Sequence, residues 1–224
     1  MHFIPITETL DPEQLDMMLA FGYYRMQQNL FTTNYAHTDS HEPIRVIWAR
    51  VLASGYQPNS RHQKLKRLNR RFQTSLQDAD VTEEIEALYA RYRAAIDFDG
   101  NESVRSCLLG DKTRDFFPGK MWTVRDAGRL IAVGYFDEGQ QSCAGILNFF
   151  HPEYRKFSLG LWLYLEGLQY AADKGKRFFY PGYISQDFPK FDYKLLAGTE
   201  RIELWHPAHQ FWMPYAVSKN QDMD

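Results

Sequence analysis

Asn148-Phe149-Phe150-His151-Pro152-Glu153-Tyr154-Arg155-Lys156-Phe157-Ser158-Leu159-Gly160 takes the chain from an aromatic strand end, across a basic loop, into an apolar-periodic helix expected over residues 158–172. Phe178-Phe179-Tyr180-Pro181-Gly182-Tyr183 follows, with a second aromatic strand expected at 178–180 and a loop closed by Lys190-Phe191-Asp192-Tyr193-Lys194. Upstream, residues 121–124, 130–136 and 142–150 read as three strands of a meander, with Asp126-Ala127-Gly128 and Glu138-Gly139 as turns. A meander, a helix and a further strand predict an α+β fold, a mixed sheet flanked by helices. Two late strands are expected near 203–205 and 210–212.

Toward the N-terminus, residues 11–21 read as a helix with Asp11 as N-cap and Pro12 at the first helical position. Short β runs are expected at 30–34 and 44–52, a loop at 55–60, a basic helix at 61–71 and a short strand at 72–76. Residues 80–95 form a helix with Asp80 as expected N-cap, Glu83 completing a capping box, and Ile85, Leu88, Tyr89 and Tyr92 on the buried face. A shorter helix is expected at 101–109. The chain divides into an N-terminal lobe with the basic helix, residues 1–70, and a larger domain, residues 71–224.

The 224 residues are 44% apolar and 24% charged with a net charge of -2, which excludes a grossly basic nucleic-acid coater but permits a local basic patch. Aromatic residues reach 16%, which suits a cleft with partly exposed walls. Cys107 and Cys143 have no CxxC pattern and are expected as free thiols. No apolar run approaches membrane-spanning length, and Glu8, Asp11, Glu13 and Asp16 stand where a signal peptide would be basic and then apolar. The expectation is a cytoplasmic protein.

Three segments have the residue types for chemistry. The loop Arg155 to Gly160 enters a helix N-terminus, where free N–H groups favour an anion or an oxygen-rich group; Ser158 could equally be an ordinary N-cap. Lys190 and Lys194 with Tyr183 and Tyr193 offer donors for a carboxylate and rings for stacking, or a solvated lysine pair over an aromatic core. Arg61, Lys64, Lys66, Arg67, Arg70 and Arg71 fall within 11 residues and suit phosphates, or form a solvated helix face.

The order and spacing of these segments resemble the catalytic half of the arginyl-tRNA–protein transferases and of the bacterial aspartate/glutamate leucyltransferases. Tyr180, Gly182 and Tyr183 match the family's Tyr-Leu-Gly-Tyr motif, with Pro181 for Leu. Lys190, Tyr193 and Lys194 match its Lys-Met-x-Tyr-Lys motif, with Phe191 for Met. Ser60-Arg61-His62-Gln63 resembles its Ser-Arg-Ser-Gln segment, and the likeness extends over residues 15 to 205. It implies a GNAT-like catalytic domain and aminoacyl-tRNA-dependent transfer of an amino acid to the N-terminal amine of a protein or peptide beginning with Asp or Glu. Implied roles are donor binding by Arg155, Ser158, Leu159 and Gly160, acceptor binding by Lys190 and Lys194, catalysis by Tyr183 and Tyr193, and tRNA binding by Arg61, Lys64, Arg67, Arg70 and Arg71. No cofactor is implied beyond the aminoacyl-tRNA donor. The family's cysteine cluster is absent between Gly22-Tyr23-Tyr24-Arg25 and the basic segment, so no metal is expected; His37 and His41 are too few ligands. Two rivals are an acyl-CoA-dependent N-acyltransferase, against which Ser158 replaces the first glycine of a pyrophosphate loop, and a non-catalytic module binding N-termini or RNA.

Overall fold

A computed structural model describes residues 1–36, 42–97, 100–186 and 188–218; His37 and His41 lie outside the described residues. The N-terminal part comprises β1 (His2–Pro5), α1 (Pro12–Ala20), β2 (Tyr24–Met26), β3 (Asn29–Thr32), β4 (Tyr35–Ala36), β5 (Ile44–Arg45), β6 (Ile47–Leu52) and α2 (Ser60–Asn69). Next come β7 (Gln73–Asp78), α3 (Glu83–Arg93), α4 (Val104–Leu108) and the expected meander of β8 (Gly119–Asp126), β9 (Arg129–Glu138) and β10 (Ser142–Phe150). A 3-10 turn at Pro152–Phe157 leads into α5 (Leu159–Asp173), followed by β11 (Phe178–Ile184), 3-10 turns at Pro189–Ala197 and Thr199–Arg201, β12 (Ile202–His206), β13 (Phe211–Pro214) and α6 (Tyr215–Ser218). None of the described helices is long and apolar enough to cross a membrane.

Eight strands form one sheet in the order β13-β12-β6-β11-β10-β9-β8-β7, and helices flank it, as an α+β fold requires. β6, from the first 70 residues, runs antiparallel to both β11 and β12, so the sheet extends across the expected boundary at residue 70. On one face α5 buries Leu159, Leu165 and Leu168 against Val51, Ile131 and Phe179. On the other, Leu15 and Leu19 of α1 pack with Tyr24, Trp48, Tyr180 and Trp205. A third cluster joins α3 and α4 to Val133 and Phe149.

Local signals account for several boundaries. Asp11 caps α1 in a reciprocal capping box with Gln14, and Pro12 opens the helix. The start of α3 differs from expectation: Thr82, not Asp80, is the N-cap, accepting from the Ile85 N–H, while Asp80 accepts from the adjacent Val81 N–H. Both residues are good caps locally, and Glu83 is the first residue of the helix rather than the third. β11 runs to Ile184 rather than ending at Tyr180. Pro181 is tolerated because it lies past the last β10 pair, at Tyr180, and inside the bulge facing β6 between Phe179 and Gly182.

Candidate active site at the forked strands

β10 and β11 are parallel and in register only over Ser142–Ala144 and Phe178–Tyr180. Beyond that, β10 bulges between Gly145 and Leu147 and stays with β9, whereas β11 follows β6. The two strands therefore diverge, and their carboxyl ends form the arms of a fork, a position that suits ligands in sheets with parallel strands. One arm continues into the 3-10 turn and α5. The other continues into the turn that holds Lys190, Tyr193 and Lys194.

The first arm has a form that the sequence did not announce. Ser158 has left-handed backbone torsions, φ 50° and ψ 45°, and its side chain makes no capping bond, so it is not the ordinary N-cap its identity suggested. The i to i−4 ladder of α5 opens with Trp162 N–H donating to Ser158 O, which leaves the N–H groups of residues 159–161 ahead of it. The side chain of Leu159 is fully buried in the core, so it cannot line a donor site; only its backbone can. Gly160 lies against the Phe150 ring, and Arg155 is exposed.

α2 is bound to this arm. His62, Leu65 and Asn69 share its buried face, while Arg61, Lys64, Lys66, Arg67, Arg70 and Arg71 are exposed. Asn69 Nδ2 donates to Phe157 O at 3.1 Å, and the Phe72 ring meets Tyr154 and Phe157 edge-on. Arg71 pairs with Asp126 at 3.1 Å, and Tyr154 Oη donates to the same carboxylate at 3.0 Å. At the other end, Glu166 Oε1 bonds His62 Nε2 and Trp162 Nε1, each at 3.0 Å, and Tyr56 Oη meets His62 Nδ1 at 3.1 Å. Burial opposes ionisation of Glu166, but the His62 bond and the Lys66 charge outweigh it and hold the carboxyl below its ordinary range.

On the second arm the expected lysine pair is divided. Lys190 is exposed and reaches Asp97 at 3.6 Å. Lys194 turns inward: its Nζ donates to Tyr183 O and lies 5.1 Å from the Tyr183 ring, 4.9 Å from Phe191 and 5.6 Å from Tyr193. Burial pushes the Lys194 amine down to about 7. The pair therefore does not form a two-lysine grip on one carboxylate. Tyr193 is 44% exposed, Tyr183 packs edge-on against Trp48 and Phe191, and burial raises the Tyr183 phenol. Tyr164 of α5 ties the arms together, donating to Lys194 O at 2.6 Å and meeting the Tyr193 ring edge-on. Sequence reasoning missed Tyr164 because a tyrosine in an apolar-periodic helix reads as core.

Among the described residues no three His, Cys, Asp or Glu side chains are grouped to hold a metal ion. Cys107 and Cys143 are free thiols.

Residues 83–200 match the family described as arginine-tRNA-protein transferase, C terminus. The aspartate/glutamate leucyltransferase of Shewanella oneidensis is 28% identical over 207 residues, covering 92% of this chain and 83% of the relative. That of Teredinibacter turnerae is 28% identical over 201 residues, covering 86% and 78%. Among solved structures, a GCN5-related N-acetyltransferase-like protein from Streptococcus suis superposes with a TM-score of 0.39 at 16% identity, covering 72% of this chain and 59% of that one.

Proposed function

The chain belongs to the arginine-tRNA-protein transferase family and is an aminoacyltransferase, and on that premise we propose that it moves a leucyl group from leucyl-tRNA to the N-terminal amine of a peptide beginning with Asp or Glu. The donor and acceptor classes follow the name its relatives carry. The observation that carries the reading is the fork, with a cationic helix bonded to one arm and a buried amine at the other.

In this reading the exposed residues Arg61, Lys64, Arg67 and Arg70, with Arg71 beside its Asp126 partner, take phosphates of the tRNA. Arg155 and the N–H groups at the start of α5 orient the acylated 3′ end. The acceptor amine attacks the ester carbonyl, the new C–N bond forms, and the C–O bond to the ribose breaks. One proton leaves the amine and one reaches the ribose oxygen. Lys194 Nζ, with its pKa near 7, is partly unprotonated at neutral pH and suits the first transfer. Tyr183 and Tyr193 line the reacting centre. The ester is already activated, so positioning supplies most of the catalysis and no resident cofactor is required. With charged tRNA as donor, the reaction belongs in the cytoplasm.

The test is incubation of the purified protein with leucyl-tRNA and a peptide beginning with Asp, read by mass spectrometry. The expected product is the peptide extended by one leucine. Acylation supported by acetyl-CoA and not by charged tRNA would overturn the reading.

A further inference from the structure

If the acceptor begins with Asp or Glu, its side-chain carboxylate needs a partner, and the lysines beside the fork do not supply one. In the transfer step above Lys194 faces the acceptor amine rather than its side chain, and Lys190 reaches Asp97. Other arginines nearby are also committed: Arg50 pairs with Glu203 at 2.6 Å, and Arg25 with Asp115 and Asp137 at 2.8 Å each. Arg45, exposed at the end of β5, makes no ion pair among the described residues.

Arg45 stands at a cavity of about 350 Å³ between the main sheet and the N-terminal segment, lined also by Asn34, Tyr35, Trp48, Trp205 and His206. Trp48 is 3% exposed, and its indole Nε1 is buried with no acceptor. His206 Nδ1 is likewise buried without a partner. An indole N–H can only donate, and an unmet buried donor is costly, so this lining calls for a ligand bearing an oxygen acceptor. A guanidinium beside it selects a carboxylate over a neutral amide.

The cavity is also well placed. Trp48 and Tyr183 are cross-strand partners on β6 and β11, with ring centroids 5.2 Å apart. Lys194 Nζ lies 5.1 Å from the centroid of the same Tyr183 ring, so one aromatic ring touches both the cavity wall and the caged amine. An amine reacting at Lys194 is therefore one aromatic side chain away from the cavity wall. Resting on the transfer reaction proposed above, we propose that this cavity, through Arg45 and Trp48 Nε1, binds the side-chain carboxylate of the acceptor's first residue.

The test uses three peptides differing only at the first position, Asp, Asn or Ala, with wild type, Arg45→Met and Trp48→Phe. Arg45→Met should lower kcat/KM for the Asp peptide by about ten- to a hundredfold, as loss of a charge-assisted contact does. The Asn and Ala peptides should change by less than about threefold, and Tm should hold because Arg45 is exposed. Trp48→Phe should shift preference in the same direction, with folding checked by circular dichroism. Equal defects on all three peptides would overturn the assignment. Calorimetric binding of the same peptides without tRNA tests the cavity independently of turnover. Weaker binding of the Asp peptide alone by Arg45→Met supports it, and unchanged affinity overturns it even if the transfer reaction itself fails.

Discussion

Lys194 carries an amine that ordinarily stays charged to about pH 10.5, yet it is folded beneath three rings with a carbonyl for partner, and its pKa falls to about 7. In the unfolded chain the ordinary value returns. Between pH 7 and 10.5 the unfolded state therefore binds more protons, and the stability tied to this group rises with pH, by at most about 1.4 kcal/mol per unit. It is fully present above 10.5 and lost as pH falls through 7. Lys194→Met should remove that dependence: its Tm relative to wild type should be most favourable near pH 6 and decline toward pH 10, while kcat/KM drops at every pH. A Tm offset independent of pH would contradict the buried amine. Ser158 provides a second residue-scale test. With no capping bond to lose, Ser158→Ala should stay within about 0.5 kcal/mol of wild type, where a true N-cap costs about 1. Ser158→Gly should stabilise by about 0.5–1 kcal/mol by relieving the left-handed backbone. The sequence shows a serine before a helix, but not the 3-10 turn that reverses its backbone torsion.

α2 shows what an element's own sequence can reveal. Its periodicity separates a cationic face from His62, Leu65 and Asn69, so both the helix and its exposed charges were legible. What the buried face touches was not: His62 meets Glu166 across 104 residues, and Asn69 holds a carbonyl of the donor loop. Two variants separate these roles. Replacing Lys64, Arg67 and Arg70 by Glu should weaken tRNA binding by more than tenfold at low salt and flatten its salt dependence, with Tm nearly unchanged because exposed charges contribute little. His62→Ala should instead cost about 2–4 kcal/mol of unfolding free energy, because Tyr56 and Glu166 lose a buried partner. Unaltered tRNA affinity in the triple variant would remove α2 from the binding surface.

Across the whole molecule, Arg25 joins segments that no local pattern connects. It pairs with Asp115 and Asp137 at 2.8 Å, donates to Leu108 O and sits over the Phe117 ring. Burial pushes the Asp137 carboxyl up to about 6 even though Arg25 pulls the other way. Arg25→Met should destabilise by about 3–5 kcal/mol in chemical denaturation, since it strands the buried Asp137 carboxyl, with the partly buried Asp115 beside it, without their cation. A loss below about 1 kcal/mol would mean that the network does not hold the N-terminal strands to the sheet. By itself the sequence determined the meander, α5, the aromatic strand, the amphipathic basic helix and the family resemblance, because periodicity, turn residues and motif spacing are properties of neighbouring positions. Only the tertiary structure decided that β6 lies between β11 and β12, that β10 and β11 part after three registered pairs, and that Leu159 faces the core. It also decided that Lys194 is caged while Lys190, four residues earlier, is exposed. Burial and pairing are set by which distant segments meet, and a lysine's charge, reach and pKa follow from that meeting rather than from its neighbours in the chain.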